Sequence, residues 1–220
     1  MLCSPHATMR RASFFSARRT IRLARCSPGE TLADVLERRG DRSAIVVDEA
    51  YIEFAEEASA VELLSRYENL IVLRTLSKAL AFAGARCGAV MGPVAVIRML
   101  NAIQAPYALS TPVVECVEDA LGQACLEESR RRTVTIARER ERLVAAIREF
   151  AYVEKVWPSA ANFFLLRARN SDAIMEHCTS KGVLLRNFGG ALAGCIRVTV
   201  GSETENDSLL ECLATLEGVG

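Results

Sequence analysis

The chain has 220 residues and a mass of 24.0 kDa, with 27 basic and 27 acidic side chains and a formal net charge of zero. Its apolar half and charged quarter exclude a wholly disordered chain, and its neutrality removes the simplest argument for a nucleic-acid or anionic-membrane binder. No uninterrupted apolar run approaches the ~20 residues needed to cross a bilayer.

The leader, residues 1–29, stands apart. It carries Arg10, Arg11, Arg18, Arg19, Arg22 and Arg25 and several serines, with no acidic residue before Glu30. That is the composition of an organelle transit peptide, or of a basic tail that touches phosphates. With no apolar periodicity beside it, this stretch reads as an unstructured or out-of-frame leader. From Thr31 the chain becomes regular. Residues 31–39 form an amphipathic helix pattern, 44–47 a strand buried on both faces, 61–67 a helix, 70–73 a second buried strand and 87–91 a third. Helices are expected over 94–104, 112–126 and 130–150, the last with Ile136, Leu143, Ile147 and Phe150 on one stripe. Strands are then expected over 153–157, 162–166, 183–186 and 196–200, with helices over 172–181 and 203–216. Strands alternating with helices, followed by a different pattern, predict an α/β domain with a mainly parallel sheet over 30–135 and a small α+β domain over 136–220.

Eight cysteines include no C-x-x-C pair, and only two histidines, His6 and His177, accompany them. No metal site and no disulfide framework are expected; reduced thiols of a cytoplasmic protein are. Cys87 and Cys195 read as small core residues, and Tyr107 and Trp157 as core or interface aromatics.

Two segments carry the chemistry: Asp48-Glu49-Ala50-Tyr51 directly after one buried strand, and Arg74-Thr75-Leu76-Ser77-Lys78 directly after the next. Ligands of open α/β sheets bind beyond the carboxyl ends of the strands, so both segments point at one crevice. It gathers a carboxylate, a phenol, two hydroxyls, an amine and Arg86, the groups a pyridoxal-phosphate enzyme needs.

The stretch from Ser77-Lys78 to Gly84-Ala85-Arg86-Cys87-Gly88 resembles the S-K-x(n)-G-x-R-x-G signature of class I/II aminotransferases. The words around Asp48 and Lys78, Ala105-Pro106-Tyr107-Ala108-Leu109-Ser110-Thr111-Pro112, and Ile196-Arg197-Val198-Thr199-Val200-Gly201 are similar to those of the histidinol-phosphate aminotransferases, from about Gly29 to the C-terminus. The resemblance implies a partial aspartate-aminotransferase-like fold, pyridoxal 5'-phosphate as cofactor, and a homodimer. It implies Lys78 as Schiff-base lysine and proton shuttle, Asp48 on the pyridine nitrogen and Tyr51 on the ring's 3-oxygen. Thr75, Ser77 and Arg86 would hold the cofactor phosphate, which suits arginine's planar grip. Arg197, with Arg186 as a second candidate, would take the acidic end of the substrate, and Asn162 would line the cleft.

The resemblance departs at the front. Family members are much longer, and Leu2-Cys3-Ser4-Pro5 is followed by His6-Ala7-Thr8 where the family's C-S-P-N-N-P-T-G word continues. The chain is therefore read as N-terminally truncated, with residues 6–27 out of frame, and as prone to aggregation through unpaired sheet edges. The expected activity is transamination of L-histidinol phosphate with 2-oxoglutarate in histidine biosynthesis. The alternatives are an inactive fragment, a related aromatic amino acid aminotransferase and, resting only on the basic leader, a nucleic-acid-binding tail.

Overall fold

The computed structural model describes the backbone of residues 12–16 and, in full, residues 31–55 and 58–216. The described chain forms two compact units, the second beginning its main run at Glu127. Residues 12–16, read from the sequence as part of an unstructured leader, instead form a strand; the remainder of the leader lies outside the described residues, as does His6.

The first unit is built on a four-stranded sheet of order β1-β2-β3-β4. Its strands are β1 (Ala12–Ser16), β2 (Ala44–Asp48), β3 (Leu70–Thr75) and β4 (Gly88–Met91). β1, β2 and β3 run parallel, and β4 pairs antiparallel with β3. Helix α1 (Leu32–Arg39) begins at a Thr31/Asp34 capping box, which satisfies two otherwise orphaned backbone donors. Its Val35 and Leu36 pack with Ile45, Val47, Leu70 and Val72. Val46 and Ile71, on the opposite face of the sheet, are buried as well. This is why these segments read as continuous apolar runs rather than alternating ones.

Three expectations for this unit need correction. The 61–67 helix is a 3₁₀ turn over Ala60–Leu63; it holds only one i→i−4 bond, from Tyr67 N to Leu63 O, because the chain must reverse at once into β3. The third strand is not buried: Gly88, Ala89 and Val90 are exposed, since β4 lies at the end of the sheet order. Cys87 precedes it, half-buried, rather than sitting in a core. The helix expected over 112–126 is broken. Helix α2 (Val94–Ile103) is followed by α3 (Thr111–Ala120), and the next helix, α4 (Gln123–Arg148), starts only after Gly122. A Cβ on Gly122 would sit 3.0 Å from the Asp119 carbonyl, a close approach that favours glycine. α4 in turn begins seven residues ahead of the expected start.

In the second unit all pairing is antiparallel, in the order β5-β6-β8-β7. The strands are β5 (Val153–Val156), β6 (Phe163–Ala168), β7 (Arg186–Asn187) and β8 (Cys195–Thr199). Helices α5 (Ser171–Ser180) and α6 (Glu203–Ala214) complete it, with α6 opened by a Ser202/Glu205 capping box. Leu143 and Ile147 of α4 join Phe164, Leu166, Ile196, Val198, Cys178 and Leu209 in one core. The strand expected over 183–186 is short and late, because the Val183 amide is held by the Cys178 carbonyl at the end of α5 (2.8 Å). No described helix is long and apolar enough to cross a membrane.

Candidate active site

β2 and β3 are parallel and aligned, with Asp48 opposite Leu73, so both carboxyl ends emerge at one edge of the sheet. The ladder continues one step further through Glu49 N to Leu73 O at 2.8 Å. Asp48 is exposed there, and its Oδ1 accepts from Ala50 N at 3.0 Å, which turns the chain toward Tyr51. Tyr51 is half-buried, and the Lys78 ammonium lies over its ring, 5.3 Å from the centroid, a cation–π contact. The structure thus brings together a phenol and an amine that 27 residues separate.

At the end of β3, Ser77 N donates to Thr75 Oγ1 (3.1 Å), and the two hydroxyl oxygens are 2.9 Å apart. Arg86 is exposed in a left-handed backbone conformation (φ 52°), and its Nη1 donates to Ala83 O at 3.0 Å. A non-glycine residue in this region carries backbone strain, and such residues cluster at ligand clamps. Gly88 is explained by packing: a Cβ there would meet the Arg74 carbonyl at 2.7 Å. The second glycine of the G-x-R-x-G word is thus imposed by the close approach of β4 to β3.

The second unit holds the other candidates. Arg186 and Arg197 are register partners on β7 and β8. Cross-strand partners point to the same face, and like charges placed so repel one another. Arg186 lies over the Phe188 ring (5.6 Å) and Arg197 over the Phe163 ring (5.1 Å). Arg197 Nε is buried with no hydrogen-bond partner among the described residues. Leaving such a donor unmatched costs about 1–3 kcal/mol. Asn162 is half-buried one residue ahead of β6, where its carbonyl accepts from Val200 N at 2.9 Å. Tyr107 is not a core aromatic: it is 97% exposed at a positive φ of 56°. Trp157 is half-buried, with Lys155 and Arg167 over its ring.

Sequence reasoning passed over one cluster. Glu49 is only 2% exposed, and its carboxylate accepts from Arg74 Nε (3.0 Å), Ala60 N (2.6 Å) and Ser59 Oγ (2.8 Å). The legible signal was two successive carboxylates at a strand end, where alternation sends one inward.

Residues 25–213 match the aminotransferase class I and II family. The histidinol-phosphate aminotransferase of Shigella sonnei is 41% identical over 181 residues, covering 81% of this chain and 51% of that protein. The chain therefore spans about half the length of the curated relatives it matches. The histidinol-phosphate aminotransferase of Sinorhizobium meliloti, solved in complex with pyridoxal-5'-phosphate, superposes with a TM-score of 0.67 at 28% identity, over 79% of this chain and 50% of that one. A decarboxylase from Sulfurospirillum multivorans shares the fold at 22% identity, with a TM-score of 0.80 over 93% of this chain and 61% of that chain.

Proposed function

Because the chain belongs to the aminotransferase class I and II family, we propose that it acts in the transamination of L-histidinol phosphate with 2-oxoglutarate, with pyridoxal 5'-phosphate as cofactor. The observation that carries this reading is the gathering of Asp48, Tyr51, Thr75, Ser77 and Lys78 at the carboxyl ends of two adjacent parallel strands. The donor set fits the cofactor. A carboxylate can accept from a protonated pyridine nitrogen, a phenol can donate to a ring oxygen, and paired hydroxyls with an arginine can hold a phosphate.

When bound, the cofactor supplies an electron sink for the pair released as the substrate's Cα–H bond breaks. The chain's own groups do the rest. Asp48 would accept the hydrogen bond of the protonated ring nitrogen. Tyr51 orients the cofactor through its hydroxyl, and Thr75, Ser77 and Arg86 anchor the phosphate. The Lys78 amine would take the Cα proton and deliver it to the cofactor's C4′ carbon, the work of a positioned general base. Arg197, seconded by Arg186, binds the phosphate of one substrate and the carboxylate of the other; a planar guanidinium serves both anions. Asn162 lines the substrate side. We further propose a cytoplasmic homodimer, with residues 30–135 as the cofactor-binding domain and residues 136–220 as a small second domain.

The test is a visible absorption spectrum of the purified chain with added pyridoxal phosphate, beside Lys78→Ala. A band that depends on Lys78, followed by turnover of histidinol phosphate, is the expected outcome. Folded protein with no such band would mean that this chain is an inactive relative.

A further inference from the structure

Glu49 is a buried carboxylate to which the proposed chemistry gives no task. Burying a charge is expensive, and well-packed apolar residues often stabilise as much as a buried ion pair does. Its surroundings are specific. Arg74 donates from Nε to Glu49 and from Nη2 to Ser59 Oγ (2.8 Å), and the Ser59 hydroxyl donates to the Glu49 carboxylate, which closes a three-residue ring. Ser59 Oγ also accepts from Val61 N at 3.1 Å, which ties the ring to the 3₁₀ turn.

The ring's location gives it meaning. Glu49 directly follows Asp48, and Arg74 directly precedes Thr75. Strand ends fray first, and here two of them must keep a fixed spacing if their next residues are to meet one ligand. From this placement we propose that Glu49 and Arg74 form a clasp: a pair of positioning residues that locks the end of β2 to the end of β3 and thereby sets Asp48 and Tyr51 against Thr75, Ser77 and Lys78. The inference rests on the cofactor reading above only for what the clasp serves, not for the clasp itself.

The full chain tests it, as Glu49→Gln, Arg74→Met and the double variant. Amide hydrogen exchange is followed without cofactor, and pyridoxal phosphate affinity through the visible band. Each single substitution is expected to speed exchange over residues 48–51 and 74–78 by about tenfold, with 44–47 and 70–72 as slow as in the parent. Affinity should fall at least about tenfold, as misplacement of a binding group does, and the double variant should be no worse than the worse single one, because the two act as a unit. Glu49→Gln serves if Arg74→Met, which leaves a buried carboxylate unpaired, does not fold, since the Arg74 side chain is 37% exposed and stays solvated. Exchange that rises evenly along both strands, losses that add, or affinity equal to the parent's would overturn the proposal. A parent with no Lys78-dependent band but with the localised exchange response upholds the clasp and removes the cofactor reading.

Discussion

Gly88 and Gly84 belong to the same word, yet only Gly88 faces backbone: an added Cβ would meet the Arg74 carbonyl at 2.7 Å there and nothing within 4 Å at Gly84. Gly88→Ala should therefore lose about 1–3 kcal/mol in urea unfolding, while Gly84→Ala should stay within about 0.5 kcal/mol. The cysteines divide in the same local way. Cys178 is fully buried, and burial, aided by a bond from the Cys212 thiol at 3.6 Å, pushes its thiol up to about 12. The thiolate is the reactive form. Thiol labelling at neutral pH should thus mark the exposed Cys116 and Cys125 quickly and spare Cys178 until the chain unfolds. The paired arginines predict substrate behaviour. In an active chain, Arg197→Met should raise KM for both acidic substrates more than it lowers kcat; equal KM values would remove Arg197 from the anion site.

At the scale of elements, caps and buried polar ties decide how the pieces join. Replacing the Thr31 hydroxyl that opens α1, as Thr31→Ala, should cost about 1 kcal/mol. Between α4 and α6 the tie is the buried Glu139, which accepts from Arg142 (2.8 Å) and Asn206 (3.0 Å), while Arg142 also pairs with Asp207. The Arg142 hydrogen bond, followed by that of Asn206, holds the Glu139 carboxyl below the usual carboxylate range. A carboxyl depressed in the folded state adds stability that is full above its unfolded value and is lost as pH falls through its folded value. Acid titration of the second unit should accordingly show a loss below about pH 4.3, the unfolded value for glutamate, and Glu139→Gln should flatten it. A profile unchanged in that variant would assign the acid transition to other groups. Element types were readable along most of the chain because period and capping residues agree, as in α1 and α6. They misled at 61–67 and 112–126, where the geometry of a chain reversal and one close glycine contact overrode helical periodicity.

For the whole molecule, the two units differ in how much apolar surface they cover. Apolar side chains of α2 and of the run into α3 face solvent, among them Val94 at 66% and Ile103 at 81% exposed. Exposed patches of this kind drive association, so light scattering should show the chain self-associating as concentration rises, and Val94→Glu with Ile103→Glu should reduce it. By itself the sequence determined the α/β class, the doubly buried strands β2 and β3, the family, and Asp48, Lys78 and Arg86 as a candidate set. Those features are written in local periodicity and in ordered words of adjacent residues. Tertiary structure alone decided that β4 is an exposed, antiparallel edge, that Arg186 stands opposite Arg197, and that Glu49 closes on Arg74 and Ser59. Each of these depends on which distant segments come to lie side by side, and strand register and side-chain direction fix that only once the chain is folded.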